Sequence, residues 1–142
     1  MQTIQQQRAK YALEKVNEAA KDKSIHKEYK SYASSLPAMI HMNGLGQAAA
    51  FFKSKGNSSP AHAALYAVLS NWLCSHDDDL KKKQEMPKQP YVGCANLLEG
   101  ITTKDVHTYR LAQAEAQALM DWVKKFAKAF MTDGDDNQEG RG

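Results

Sequence analysis

From Val106 to Phe130 the chain carries an apolar stripe that never breaks. Val106, Tyr109, Ala112, Ala116, Leu119, Met120, Val123, Phe126, Ala127 and Phe130 recur every three or four residues, the spacing of one face of an α-helix. At 1.5 Å per residue such a helix is roughly 37 Å long, so several neighbours must cover it. Leu111, Ala114, Ala118 and Trp122 widen the stripe, which predicts contact with more than one partner helix and a buried Trp122. Arg110, Gln113, Gln117, Asp121, Lys124 and Lys128 recur on the opposite side, a polar face with a basic C-terminal half. The spacing predicts a helix over about 103–131. Thr102 with Asp105 three residues on resembles a capping box, with Asp in place of the usual Glu.

The rest of the chain supplies the neighbours. Residues 2–22 read as a helix whose stripe is Ala9, Ala12, Leu13, Val16, Ala19 and Ala20. Residues 25–42 form a second helical run, and Pro37 inside it predicts a kink or restart, because proline lacks a backbone donor and clashes with the preceding turn. A third helix runs from about 44 to 55. Ser59-Pro60 is a start signal, a cap followed by a proline at the first helical position. The helix it opens, to about Ser75, is apolar over most of its circumference and should be the most buried. Residues 76–92, with His76-Asp77-Asp78-Asp79, Lys81-Lys82-Lys83, Pro87 and Pro90, read as a polar, mobile surface loop. A short helix fits around Asn96, Leu97 and Leu98. No β-alternation of useful length occurs. The expectation is an all-α fold: a single compact bundle of about five to six helices with a long C-terminal helix, residues 1–131 forming one domain. Residues 132–142 hold no apolar side chain and read as a disordered acidic tail.

Composition bounds the function. The net charge is +3, but Asp133, Asp135, Asp136 and Glu139 against Arg141 leave the tail at −3, so the body carries +6. A basic body suits a polyanionic partner, although a basic face taken alone is more often solvated surface. Cys74 and Cys94 make neither a C-x-x-C pair nor a disulfide framework, and Cys74, after Trp72-Leu73, reads as core. The start of the chain has Gln and Arg where a signal peptide would be apolar, and no apolar run reaches membrane-span length. A soluble, cytoplasmic protein with no membrane partner is expected.

Catalytic patterns are sparse. Gly44 and Gly46 follow no strand and precede no Gly-Lys-Ser/Thr, so they form no phosphate loop. The five histidines are scattered without zinc spacing, and His41 and His107 read as surface positions. His76-Asp77-Asp78-Asp79 is the one cluster with carboxylates for a hard cation, yet adjacent residues on a loop converge poorly on one ion. No catalytic residue, metal or cofactor is expected. The basic residues are the more useful set: Arg8 and Lys15 on the first helix, Lys53 and Lys55 at the tip of the third, Lys104 before the last, and Arg110, Lys124 and Lys128 along it. With no recognition helix or aromatic strand, any nucleic-acid contact should be to phosphate and sugar.

Leu36-Pro37-Ala38-Met39-Ile40-His41-Met42-Asn43-Gly44-Leu45 is followed by small residues, Phe51-Phe52 and Lys53-Ser54-Lys55-Gly56. This stretch resembles the small helical subunit of type III-B CRISPR effector complexes, the Cmr family. Gln6 to Ala12 and the run from Thr108 to Ala127 are similar to the same family. The resemblance implies a non-catalytic subunit of an RNA-guided antiviral complex. It would stack in several copies, as a filament, beside backbone and large subunits, and contact target RNA or the guide–target RNA duplex without reading sequence. Two other readings stand beside it: a helical protein–protein interaction module with no nucleic-acid role, and a metal-dependent nuclease built on Asp77–Asp79.

Overall fold

A computed structural model describes residues 2–132. Among them every regular element is helical: α1 (Ile4–Ala20), α2 (His26–Asn43), α3 (Leu45–Lys55), α4 (Pro60–Leu73), the turn-length α5 (Asp78–Lys82), α6 (Leu97–Thr103) and α7 (Val106–Phe130). The all-α bundle with a long C-terminal helix is the fold observed. The acidic tail lies outside the described residues except for Thr132.

α7 packs along both α1 and α2 and also reaches α3 and α4, as the width of its stripe predicts. Its core residues are Ala112, Ala116, Leu119, Met120, Val123 and Ala127. The stripe is narrower than the sequence reading: Val106 and Phe130, at the two ends of α7, and Leu111, on its flank, are exposed, because the partner helices cover one face of its middle. Trp122 is half-buried, stacked on Phe126 with ring centres 5.6 Å apart. The fully buried tryptophan is Trp72 on α4, its ring 4.7 Å from that of Tyr11. α4 is lined by buried side chains over most of its length, capped by Ser59 with Pro60 at its first position.

Three local readings change. α2 runs without restart through Pro37. The Pro37 carbonyl, buried against α7, accepts a hydrogen bond from Gln117 Nε2 at 3.1 Å, so the helix is held across the proline by its neighbour. α7 is capped by Asp105 itself, whose carboxylate accepts from the Thr108 N–H at 2.9 Å. Thr102 belongs to α6 and donates back to the Leu98 carbonyl. Residues 76–92 are not a free loop: Leu80 and Tyr91 lie in the core. The Tyr91 N–H donates to the Leu73 carbonyl, and Ser75 Oγ donates to the Pro87 carbonyl while accepting from the Gln89 N–H.

The break between α2 and α3 is one residue, Gly44, at φ +89° and ψ 155°. This is a backbone region essentially reserved for glycine. It offers α3 no capping side chain, and α7 supplies the caps instead. The Leu45 N–H donates to Gln113 Oε1 and the Gly46 N–H to Tyr109 Oη, both at 2.9 Å. The first amides of a helix have no intrahelical partner, so these two bonds fix the angle at which α3 leaves α2. A Cβ on Gly44 would stand 3.1 Å from Tyr109 Oη.

Urea denaturation should separate the two tryptophans. Trp72→Ala is expected to cost about 3–5 kcal/mol and Trp122→Ala clearly less, because only Trp72 leaves a closed cavity. Equal losses would contradict the packing described. Gly44→Ala should destabilise by roughly 1–3 kcal/mol from backbone strain, and a neutral outcome would mean that the elbow tolerates an ordinary conformation.

Candidate nucleic-acid interface

The eight basic residues singled out by the sequence divide into two groups. Arg8 is not available: its Nε and Nη2 donate to Glu115 on α7 at 2.6 and 2.9 Å, and the pairing raises the guanidinium pKa further. The same carboxylate accepts from Trp72 Nε1 at 2.8 Å. Lys15 is held likewise. Its Nζ lies 2.7 Å from Asp77 Oδ1 and 3.7 Å from Glu18, and Asp77 is buried while its carboxylate also accepts from the Leu80 N–H. These two cations tie α1 to α4, α5 and α7; they do not present a surface to phosphate.

The other six make no ion pair with any described residue. Lys53 and Lys55 project from the last turn of α3, where the helix dipole favours cations. Lys53 Nζ lies 5.4 Å from the centre of the Tyr66 ring and Lys55 Nζ 5.6 Å from that of Phe51. An aromatic face attracts an ammonium without neutralising it, so both charges are positioned yet available. His62, ringed by Tyr32, Phe51 and Phe52, has its pKa lowered by burial and by Lys55; it adds no charge at neutral pH. Lys104, Arg110 and Lys128 are exposed and Lys124 half-buried. Arg110 and Lys128 are about 27 Å apart along α7, so the structure does not gather the six into one patch. Gln113 and Gln117, read from sequence as part of an open polar face, turn inward to cap α3 and bridge to Pro37.

Asp77, the first carboxylate of the His76–Asp79 cluster weighed as a cation site, is engaged with Lys15. Among the described residues no three His, Cys, Asp or Glu side chains converge as metal ligands. Cys74 is buried, and burial first, then the neighbouring Cys94, pushes its thiol up to about 11. No described helix is long and apolar enough to cross a membrane.

Comparison with known proteins agrees with the helix pattern. The model of a family described as CRISPR-associated protein (Cas_Cmr5) matches residues 4–130, from the first turn of α1 to the end of α7. The chain belongs to the Cmr5 family. A protein of Thermus thermophilus, the CRISPR system Cmr subunit Cmr5, is 34% identical over 131 residues, covering 92% of this chain and 98% of the relative. The resemblance read at Leu36–Gly56 therefore holds at the level of the family. In this chain the Asn-Gly break is the Gly44 elbow, and the Thr108–Ala116 run contains the groups that cap α3.

Sequence reasoning missed Glu115. It is the one acid in the middle of α7's apolar run, eight residues beyond His107 and six before Asp121, and that isolation is the signal that could have found it. Urea denaturation should expose its role. Glu115→Ala leaves Arg8 and the Trp72 indole without their acceptor and is expected to cost roughly 2–4 kcal/mol, between exposed and fully buried pairs; Arg8→Ala should also destabilise, while leaving RNA affinity unchanged. Alkylation followed by mass spectrometry tests the thiol. With its pKa at about 11 against the ordinary 9.0, native Cys74 at pH 8 should hold about a hundredfold less thiolate than in urea, and fast native labelling would contradict the buried setting.

Proposed function

We propose that the chain is a non-catalytic small subunit of a CRISPR RNA-guided antiviral effector complex. In this reading it stacks in several copies, as a filament, beside the backbone subunits that hold the guide RNA, with the large subunit as a further partner. It contacts the target RNA or guide–target duplex through basic surface without reading sequence. Membership of the Cmr5 family supports the complex as its setting. The observation that carries the RNA contact is the sorting of cations: Arg8 and Lys15 are paired inside the fold, whereas Lys53, Lys55, Lys104, Arg110, Lys124 and Lys128 are left without acidic partners among the described residues. A chain that needed charge only for internal stability would have no use for lysines held over aromatic rings at an exposed helix tip. Pairing between RNA strands reads sequence in such machines, and protein reads backbone and shape.

A second reading is favoured by a different observation. Met42, Phe51, Val106, Leu111 and Phe130 are large apolar side chains exposed to solvent, which suits joints with other proteins. A protein–protein module with no RNA role would use these and leave the lysines idle.

Charge reversal separates the two. Lys53→Glu with Lys55→Glu should weaken target-RNA binding by the reconstituted complex at least tenfold, alike for unrelated guide sequences. The dependence of affinity on salt should become shallower, as expected when phosphate contacts are lost. The isolated chain should lose less, because stacked copies repeat the contact along one strand. Unchanged affinity and unchanged salt dependence would remove these two lysines from the RNA. Failure of the variant to enter the complex would favour the interaction module.

A further inference from the structure

We propose that the concavity between α3, α4 and α6 is a subsite for one nucleotide of an RNA strand. Lys53 would hold the phosphate, and the side-chain amides of Asn57, Asn71 and Asn96 would meet the ribose 2′-hydroxyl and the phosphodiester oxygens beside it. The proposal rests on the RNA-contacting reading above and names the place and the chemistry of one contact within it.

The concavity has a volume of about 330 Å³, within the lower range of small-ligand sites, roughly 300–1,000 Å³. Lys53, Asn57, Asn71 and Asn96 line it from the end of α3, the turn after it, α4 and the cap of α6. No carboxylate lines it. By contrast, the groove beside α1 contains Glu18, and the one between α1 and α7 contains Asp121, whereas here a cation without an acidic partner among the described residues meets carboxamides and the hydroxyl of Ser70.

Most polar groups here keep unused hydrogen-bonding capacity. Lys53 has its ring contact with Tyr66 and no ion pair with a described residue. The side chains of Asn57 and Asn71 make no hydrogen bond with any described residue. Asn96 Oδ1 accepts from the Glu99 N–H at 2.9 Å, which leaves its two amide donors unused. Ser70, by comparison, is occupied, its Oγ accepting from the Leu97 N–H. A carboxamide both donates and accepts, and so does a ribose hydroxyl. An anion alone would be better served by a second cation. Phosphate and sugar contacts of this mixed kind position a nucleic-acid strand without reading its bases, and a hydroxyl-reading amide is what separates RNA from DNA. Tyr66 is buried beneath Lys53, so it offers no stacking platform and the base is left free to pair with another strand.

Nuclear magnetic resonance on the isotope-labelled full-length chain tests this directly. The titrants are hexauridylate RNA, the matching deoxyuridine hexamer, inorganic phosphate and hexaglutamate. RNA should move the side-chain amide resonances of Asn57, Asn71 and Asn96, and should bind roughly two- to tenfold tighter than the deoxy hexamer, the worth of a hydrogen bond or so. Lys53→Ala should reduce the slope of log affinity against log salt by about 0.7, one phosphate contact to a single strand. Asn57→Ala with Asn71→Ala removes both amides without adding charge, and should abolish most of the preference for RNA. Equal response to RNA and DNA, or equal response to inorganic phosphate, would overturn the ribose contact. Shifts confined to Arg110, Lys124 and Lys128 would overturn the subsite while the RNA reading stood. A response to hexaglutamate alone would overturn both.

Discussion

Three helices depend on one carboxylate. Glu115 sits in the middle of α7 and accepts from both Arg8 on α1 and Trp72 on α4. An indole N–H buried in an apolar core needs an acceptor, and a carboxylate in that position needs a cation. The arrangement satisfies both requirements with a single side chain, so the largest core residue, the first helix and the last helix are oriented together. Lys15 and Asp77 repeat the device on a smaller scale, fixing α5 against α1. Two of the chain's cations are thereby enclosed, and the basic surface consists of what is left.

A second constraint works at the elbow. Gly44 turns the chain between α2 and α3 in a conformation that only glycine adopts readily, and the exposed amides of α3 are met by Tyr109 and Gln113. The tip of α3, with Lys53 and Lys55, is therefore aimed by α7 and not by the loop itself. A basic tip on a rigid stem is a better contact for a regular polyanion than one on a flexible segment, since less ordering is required on binding.

The helices were legible because their signals are local. The period of α7, the Ser59-Pro60 start and the Asn-Gly break each depend on residues within a turn or two of one another. What could not be read was pairing across the fold. Arg8 and Lys15 look like flank residues on a helical wheel, and only the arrival of Glu115 and Asp77 from distant sequence shows them to be internal. The same holds for Gln113 and Gln117, polar side chains that hydrogen-bond to backbone groups of other helices. Residues 76–92 misled for a related reason: their charge density hides Leu80 and Tyr91, two anchors too few to give a period. The candidate interface was accordingly half visible, its lysines by charge and its asparagines not at all, because an uncharged amide carries no signal until a concavity surrounds it.

The union of α1 with α7 has a bearing on how the chain comes into being. Arg8 and Glu115 are 107 residues apart, so the ion pair that ties α1 to α7 cannot form until α7 has emerged from the ribosome. At about 5–20 residues per second, that leaves several seconds in which α1 can pack through Tyr11 against α4 but lacks its contact with α7. α2, α3 and α4 contact one another and can associate in that interval, with the seam that α7 fills still open. α7, the last of the described helices to emerge, closes that seam, and a chain cut short before it keeps its apolar seam open.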